Sequence, residues 1–100
     1  MNASGMNGAF QIRERKDSIK IKILYFANVR EILGGKRYEE MRIADQSRVR
    51  DLLSMIAKAY PNINPLLMSI SISVNYRIVN RDTLLHDNDE IALIPPITGG

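Results

Sequence analysis

The segment Ile19-Lys-Ile-Lys-Ile-Leu-Tyr-Phe26 alternates apolar and polar residues and then turns wholly apolar. A period of two carried by β-branched residues predicts a strand, half-buried at first and more deeply buried toward its end. At the other end of the chain Glu90-Ile-Ala-Leu-Ile94 forms a second apolar run, and Pro95-Pro96 ends its pairing. These first and last strands are the most apolar of the sequence, as the central strands of a sheet are.

The elements between them follow by pattern. Ala27 to Leu33 places Val29, Ile32 and Leu33 on one face and stops at Gly34-Gly35, which reads as a short helical turn with a glycine stop. Arg37-Tyr-Glu-Glu-Met-Arg-Ile43 alternates again with one phase slip, a strand expected to pair antiparallel with the first. Val49, Leu52, Leu53, Ile56, Ala57 and Tyr60 fall on one stripe of the main helix, with Ser47 or Asp45 as its cap and Pro61 as its stop. A linker through Asn62-Ile-Asn-Pro65 follows. Ile70, Ile72 and Val74 alternate with serines in a third strand, Asn75-Tyr76 suits a turn, and Arg77-Ile-Val79 is a short fourth strand. Asp87-Asn-Asp-Glu90 reads as a turn with Asn88 in the left-handed region. One main helix covers one face of a small mixed sheet, so the class is a two-layer α+β roll. The ubiquitin-like β-grasp is the compact solution to this order, with about five strands and the first and last side by side and parallel.

Composition narrows the function. One hundred residues with 45% hydrophobic and 25% charged side chains support one domain with one modest core. Fourteen Lys and Arg against eleven Asp and Glu leave +3. From Ile19 onward 11 basic and 9 acidic residues leave +2, too even for a nucleic-acid binder that relies on a basic patch. The absence of cysteine excludes disulfide scaffolds, Cys-ligated metal and a thiol nucleophile. The longest apolar run, Ile91 to Ile97, is broken by two prolines and is far too short to span a membrane. Residues 1–17, glycine-bearing and then charged, read as a disordered extension without the apolar region of a secretory signal. The expectation is a cytoplasmic protein with a single domain over 18–100.

Enzyme templates find little purchase. The one histidine, His86, sits in a polar loop without a placed partner, and Gly34-Gly35 ends a helix rather than opening one around phosphate. No metal-ligand spacing occurs, and the acidic turn Asp87, Asp89, Glu90 is too short for an EF-hand. What remains is the end of the chain. It leaves the sheet at a stiff Pro95-Pro96 step and continues as Ile97, Thr98, Gly99 and Gly100. Four extended residues reach roughly 13–14 Å, and the last two lack a Cβ, so a narrow partner channel can close around them. A free carboxylate becomes electrophilic once ATP converts it to an acyl-adenylate; sulfur or an amine can then attack the Gly100 carbonyl. With no cysteine in the chain, such sulfur must come from another protein.

The ending Asp89-Glu-Ile-Ala-Leu-Ile-Pro-Pro-Ile-Thr-Gly-Gly100 resembles the D-E-[VI]-A-x-x-P-P-[VI]-[ST]-G-G terminus of the MoaD-like sulfur carriers, the small subunits of molybdopterin synthase. Ile23-Leu-Tyr-Phe-Ala-Asn-Val-Arg-Glu-Ile-Leu-Gly34 is similar to that family's first strand and short helix, and Val74-Asn75 matches its Val-Asn before the fourth strand. Asn88 departs from the family's usual Gly, and bacterial members lack the extension before Asp17. The resemblance implies a non-catalytic subunit without activity alone and with no bound cofactor. Gly100 would be adenylated at the expense of ATP by an E1-like, MoeB-like enzyme and converted to a thiocarboxylate. The tail Pro95, Pro96, Ile97, Thr98, Gly99, Gly100 would enter the MoaE-like large subunit within a heterotetramer. There its sulfur would pass to cyclic pyranopterin monophosphate on the way to the dithiolene of the molybdenum cofactor.

Phe26, Ile78 and Ile94 are expected near the exit of the tail, either as a docking patch for that partner or as core. Arg30 pairs with acidic groups on the partner or stays solvated, and Tyr25 belongs to the core. Other readings share the Gly-Gly end: a carrier for thiazole synthesis or tRNA thiolation, a ubiquitin-like modifier joined to lysines through Gly100, or an interaction domain with an incidental tail. The Pro-Pro-Ile-Thr step argues against the thiazole carrier.

Overall fold

The computed structural model describes residues 17–96. The elements are β1 (Ser18–Tyr25), α1 (Ala27–Ile32), β2 (Tyr38–Ala44), α2 (Val49–Ala59), a 3-10 helix (Pro61–Leu66), β3 (Ser71–Val74), β4 (Arg77–Val79) and β5 (Glu90–Ile94). The expected extension up to residue 16 and the tail residues Ile97 to Gly100 lie outside the described residues. Asp17, assigned to that extension, is part of the fold: its carbonyl accepts the Asp45 N–H at 2.9 Å.

The strands form one sheet in the order β2-β1-β5-β3-β4. β1 and β5 are central and parallel, paired from Lys22↔Glu90 to Tyr25↔Leu93, and the other neighbours are antiparallel. Alternation then assigns the faces. Ile19, Ile21, Ile23 and Tyr25 of β1, Ile72 and Val74 of β3, and Ile91 and Leu93 of β5 are buried in one cluster with Val49, Leu52, Leu53 and Ile56 of α2. Each such side chain contributes about 1.5–3 kcal/mol by leaving water.

Several local readings are corrected. β1 does sink deeper toward its end, Ile19 being 6% exposed and Ile23 and Tyr25 0%, but its other face stays open. Leu24 is half-buried and Phe26 exposed, because the two-residue alternation continues and turns both toward the face without the helix. Neither Ser47 nor Asp45 caps α2. The Ser47 hydroxyl donates back to the Ala44 carbonyl at 2.6 Å, and the Asp45 carboxylate accepts the Gln46 N–H. Asp51, one turn into the helix, reaches back to accept the Arg48 N–H at 2.7 Å. The expected linker is a 3-10 helix that buries Ile63 completely under the core.

Asn75 joins the β3–β4 turn to the start of β5. Its N–H donates to the Glu90 carbonyl at 2.8 Å, and its Oδ1 accepts the Glu90 N–H at 3.0 Å. Its Nδ2 donates to Asp89 Oδ1 at 2.8 Å. Asp89 is buried, and its second oxygen accepts the His86 N–H. Asn75 also holds a left-handed backbone, φ 51°, as does Asn88 at 69°. Replacing Asn75 with Ala removes a donor from a buried carboxylate and adds backbone strain. The expected cost is about 2–3 kcal/mol, read as a lower urea midpoint with an unchanged m-value.

Candidate functional site

Parallel pairing sends β1 and β5 off the same end of the sheet, so the segment after β1 and the root of the tail are neighbours. On the helix-free face the registers Tyr38↔Leu24, Leu24↔Ala92, Ala92↔Ser73 and Ser73↔Ile78 align one row across all five strands. Toward the tail, Phe26 and Ile94 extend this row with further apolar surface. Toward the other end, the next row is charged: Glu40, Lys22 and Glu90. The open face is therefore split, apolar where the tail departs and ionic where it does not.

The apolar half is concave. A groove of about 260 Å³ is lined by Leu24, Phe26, Ser73, Tyr76, Ile78, Ala92 and Ile94, with Glu90 at its edge. Ile78 is 67% exposed, Tyr76 88% and Phe26 40%. Such a concentration of exposed apolar side chains on a small domain is the form a docking surface takes. Glu90 beside the Tyr76 hydroxyl keeps that phenol protonated above its ordinary range, chiefly through a hydrogen bond and then through charge.

Of the residues singled out from sequence, Phe26, Ile78 and Ile94 come together in this groove rather than in the core. Pro95, next in the chain after Ile94, is half-buried and Pro96 exposed, while Ile97, Thr98, Gly99 and Gly100 lie outside the described residues. Arg30 does not line the groove; its Nε donates to the Tyr25 carbonyl at 3.2 Å, fastening α1 to the end of β1. His86 is exposed in its loop. Sequence reasoning missed Leu24, Tyr76 and Ala92. Leu24 was within reach, since it stands two residues before Phe26 on the same strand face.

Tyr25 is wholly buried, and its hydroxyl donates to Glu39 at 3.0 Å; the Tyr60 hydroxyl donates to the same carboxylate oxygen at 2.9 Å. Burial first, then the hydrogen bond and charge of Glu39, hold the Tyr25 phenol well above its ordinary 10.0. Once unfolded, the phenol ionises at its ordinary value. The stability it contributes is therefore complete below pH 10 and is lost as pH rises above it, by up to about 1.4 kcal/mol per pH unit. Tyr25→Phe should flatten this alkaline slope in denaturation curves recorded across that range.

The sheet order, the central parallel pair and the single covering helix define a ubiquitin-like β-grasp protein. The model of the ThiS family matches residues 23–100, and the chain belongs to that family. The "Molybdopterin synthase sulfur carrier subunit" of Mycobacterium tuberculosis is 33% identical over 82 residues, covering 82% of this chain and 99% of that relative. A Pyrococcus furiosus structure, provisionally described as molybdopterin converting factor, subunit 1, superposes with a TM-score of 0.73 at 31% identity, covering 79% of this chain and 99% of that one. The small archaeal modifier protein 1 of Methanosarcina acetivorans gives 0.67 at 28% identity, covering 83% and 98%. No helix among the described residues is long and apolar enough to cross a membrane.

Proposed function

We propose that this chain is the cytoplasmic sulfur carrier subunit of a molybdopterin synthase. The observation that carries the reading is the apolar groove at the root of a tail that ends in Gly99-Gly100. A partner that covers the groove fixes the direction of the tail, and the Pro95-Pro96 step delivers the terminus at a set distance into the partner's active site. That partner is then a MoaE-like large subunit in a heterotetramer, a reading supported by similarity to carrier subunits over nearly their whole length.

In this reading the chain is the substrate end of the reaction. The Gly100 carboxylate attacks the α-phosphate of ATP, giving an acyl-adenylate and pyrophosphate on a MoeB-like activating enzyme. A sulfur donor displaces AMP and leaves the thiocarboxylate. That group is ionised at neutral pH, and its charge sits largely on a nucleophilic sulfur. The sulfur attacks the cyclic pyranopterin monophosphate held by the large subunit, and hydrolysis returns Gly100 as a carboxylate. Two such transfers, by two carrier molecules, build the dithiolene.

The test is the intact mass of the C-terminal peptide after incubation with ATP, the activating enzyme and a sulfur donor. Exchange of one oxygen for sulfur at Gly100 is the expected result. The likeness to an archaeal modifier favours one second reading, an isopeptide-forming modifier. Purified target proteins carrying this chain on lysine, with no sulfur passed to the pyranopterin precursor, would establish that reading instead.

A further inference from the structure

The outer edge of β2 is long and regular. All seven residues, Tyr38 to Ala44, pair with β1 in one unbroken register, with no proline, glycine or bulge. Nothing among the described residues pairs with its other side, where β2 ends the sheet. Natural edges are blunted by a bulge, a proline, shortening or charged side chains, and of these β2 carries only charges, Glu39, Glu40 and Arg42, of both signs.

The direction of the main-chain groups follows from the bonds at the two ends of β2. The Arg37 carbonyl accepts the Tyr25 N–H, and the Asp45 N–H donates to Asp17, so odd-numbered residues point inward to β1. Tyr38, Glu40 and Arg42 therefore point their N–H and C=O groups outward. An antiparallel strand bonding to this edge must place outward-pointing residues opposite one another. For a second copy of β2 that condition allows only registers in which even residues face even residues. Pairing Glu40 with Glu40, or Arg42 with Arg42, opposes like charges. The register centred on Met41 sets Glu40 against Arg42 and Arg42 against Glu40, with Met41 meeting its own copy at the twofold axis.

From this self-complementarity we infer that β2 is a homodimerisation edge, joining two copies of this chain into one continuous ten-stranded sheet. Both charged residues are exposed, and Arg42 must exchange its 3.1 Å hydrogen bond to the Ser18 hydroxyl for the contact. Among the described residues Glu40 meets a cation at Lys20, 3.8 Å away across the open face. The groove lies over β1, β5, β3 and β4, so pairing at the β2 edge leaves it uncovered. The inference stands independently of the proposed sulfur chemistry.

Sedimentation velocity of the full chain from micromolar to millimolar concentration tests it. Reversible association is expected, weakening with salt. Glu40→Arg or Arg42→Glu alone should weaken association by about tenfold, since each turns two symmetry-related cross-strand attractions into repulsions. The double variant, with the charges exchanged, should restore it, and an equimolar mixture of the two single variants should associate again. A chain that stays monomeric throughout overturns the inference. So does association that is indifferent to the single reversals, or one that the exchanged pair fails to rescue; circular dichroism of each variant separates these outcomes from misfolding.

Discussion

Removal of Gly100 alone is expected to abolish sulfur transfer while leaving the melting transition unchanged. The buried cluster runs from Ile19 to Leu93, and the terminal residue lies beyond the Pro95-Pro96 step that leaves the sheet. Losing it therefore leaves every residue of that cluster in place. It withdraws the reactive terminus by one residue, about 3.5 Å of extended chain. A displacement of about 1 Å in a positioned reactant can already cost about a hundredfold, so a loss beyond a thousandfold is expected. Single-turnover formation of the dithiolene product with thiocarboxylated carrier and excess large subunit measures it. Transfer at an undiminished rate by the shortened chain would refute the carrier role of the terminus.

Ile78→Asp is expected to weaken binding to the large subunit by roughly a hundredfold, as for loss of a central interface anchor. The side chain sits on the three-residue strand β4, two-thirds exposed, and closes one wall of the groove opposite Phe26. Exposure keeps the folding cost small, on the order of 1 kcal/mol for a poor strand former. An aspartate there places a charge in an apolar contact that has no partner for it. Titration calorimetry against the large subunit gives the affinity, and thermal denaturation confirms the fold. An unchanged affinity would remove the groove from the docking surface.

The element order, the antiparallel β1–β2 pair and the central parallel strands were legible because alternation, stripe and turn signals agreed in each segment. The partial burial of Leu24 and the exposure of Phe26 were not. An apolar residue at every position from Ile23 to Phe26 looks like a strand buried on both faces, and only the sheet's single helix layer decides otherwise. Ile63 was hidden because prolines and asparagines around it read as linker, yet they build a tight 3-10 helix with one apolar side chain turned inward. The Asp51 cap was obscured by better cap formers just upstream, whose side chains are engaged with the preceding turn. Of the groove, each wall could be seen as an apolar residue, but its closure depends on cross-strand register. Ser73 opposite Ile78 and Leu24 opposite Ala92 are facts about pairing, and no single segment contains them.

The parallel β1–β5 pair also has a mechanical consequence. A pull on Pro96 runs along β5, a strand gripped by β1 on one side and β3 on the other. When the other end of the chain is held through β1, the load slides two parallel strands past each other lengthwise, and their bonds must yield together rather than unzip singly. Resistance to such traction is set by the rate of unfolding, not by equilibrium stability alone. The tail is thus anchored in the direction along which an unfolding machine that seized it would tug.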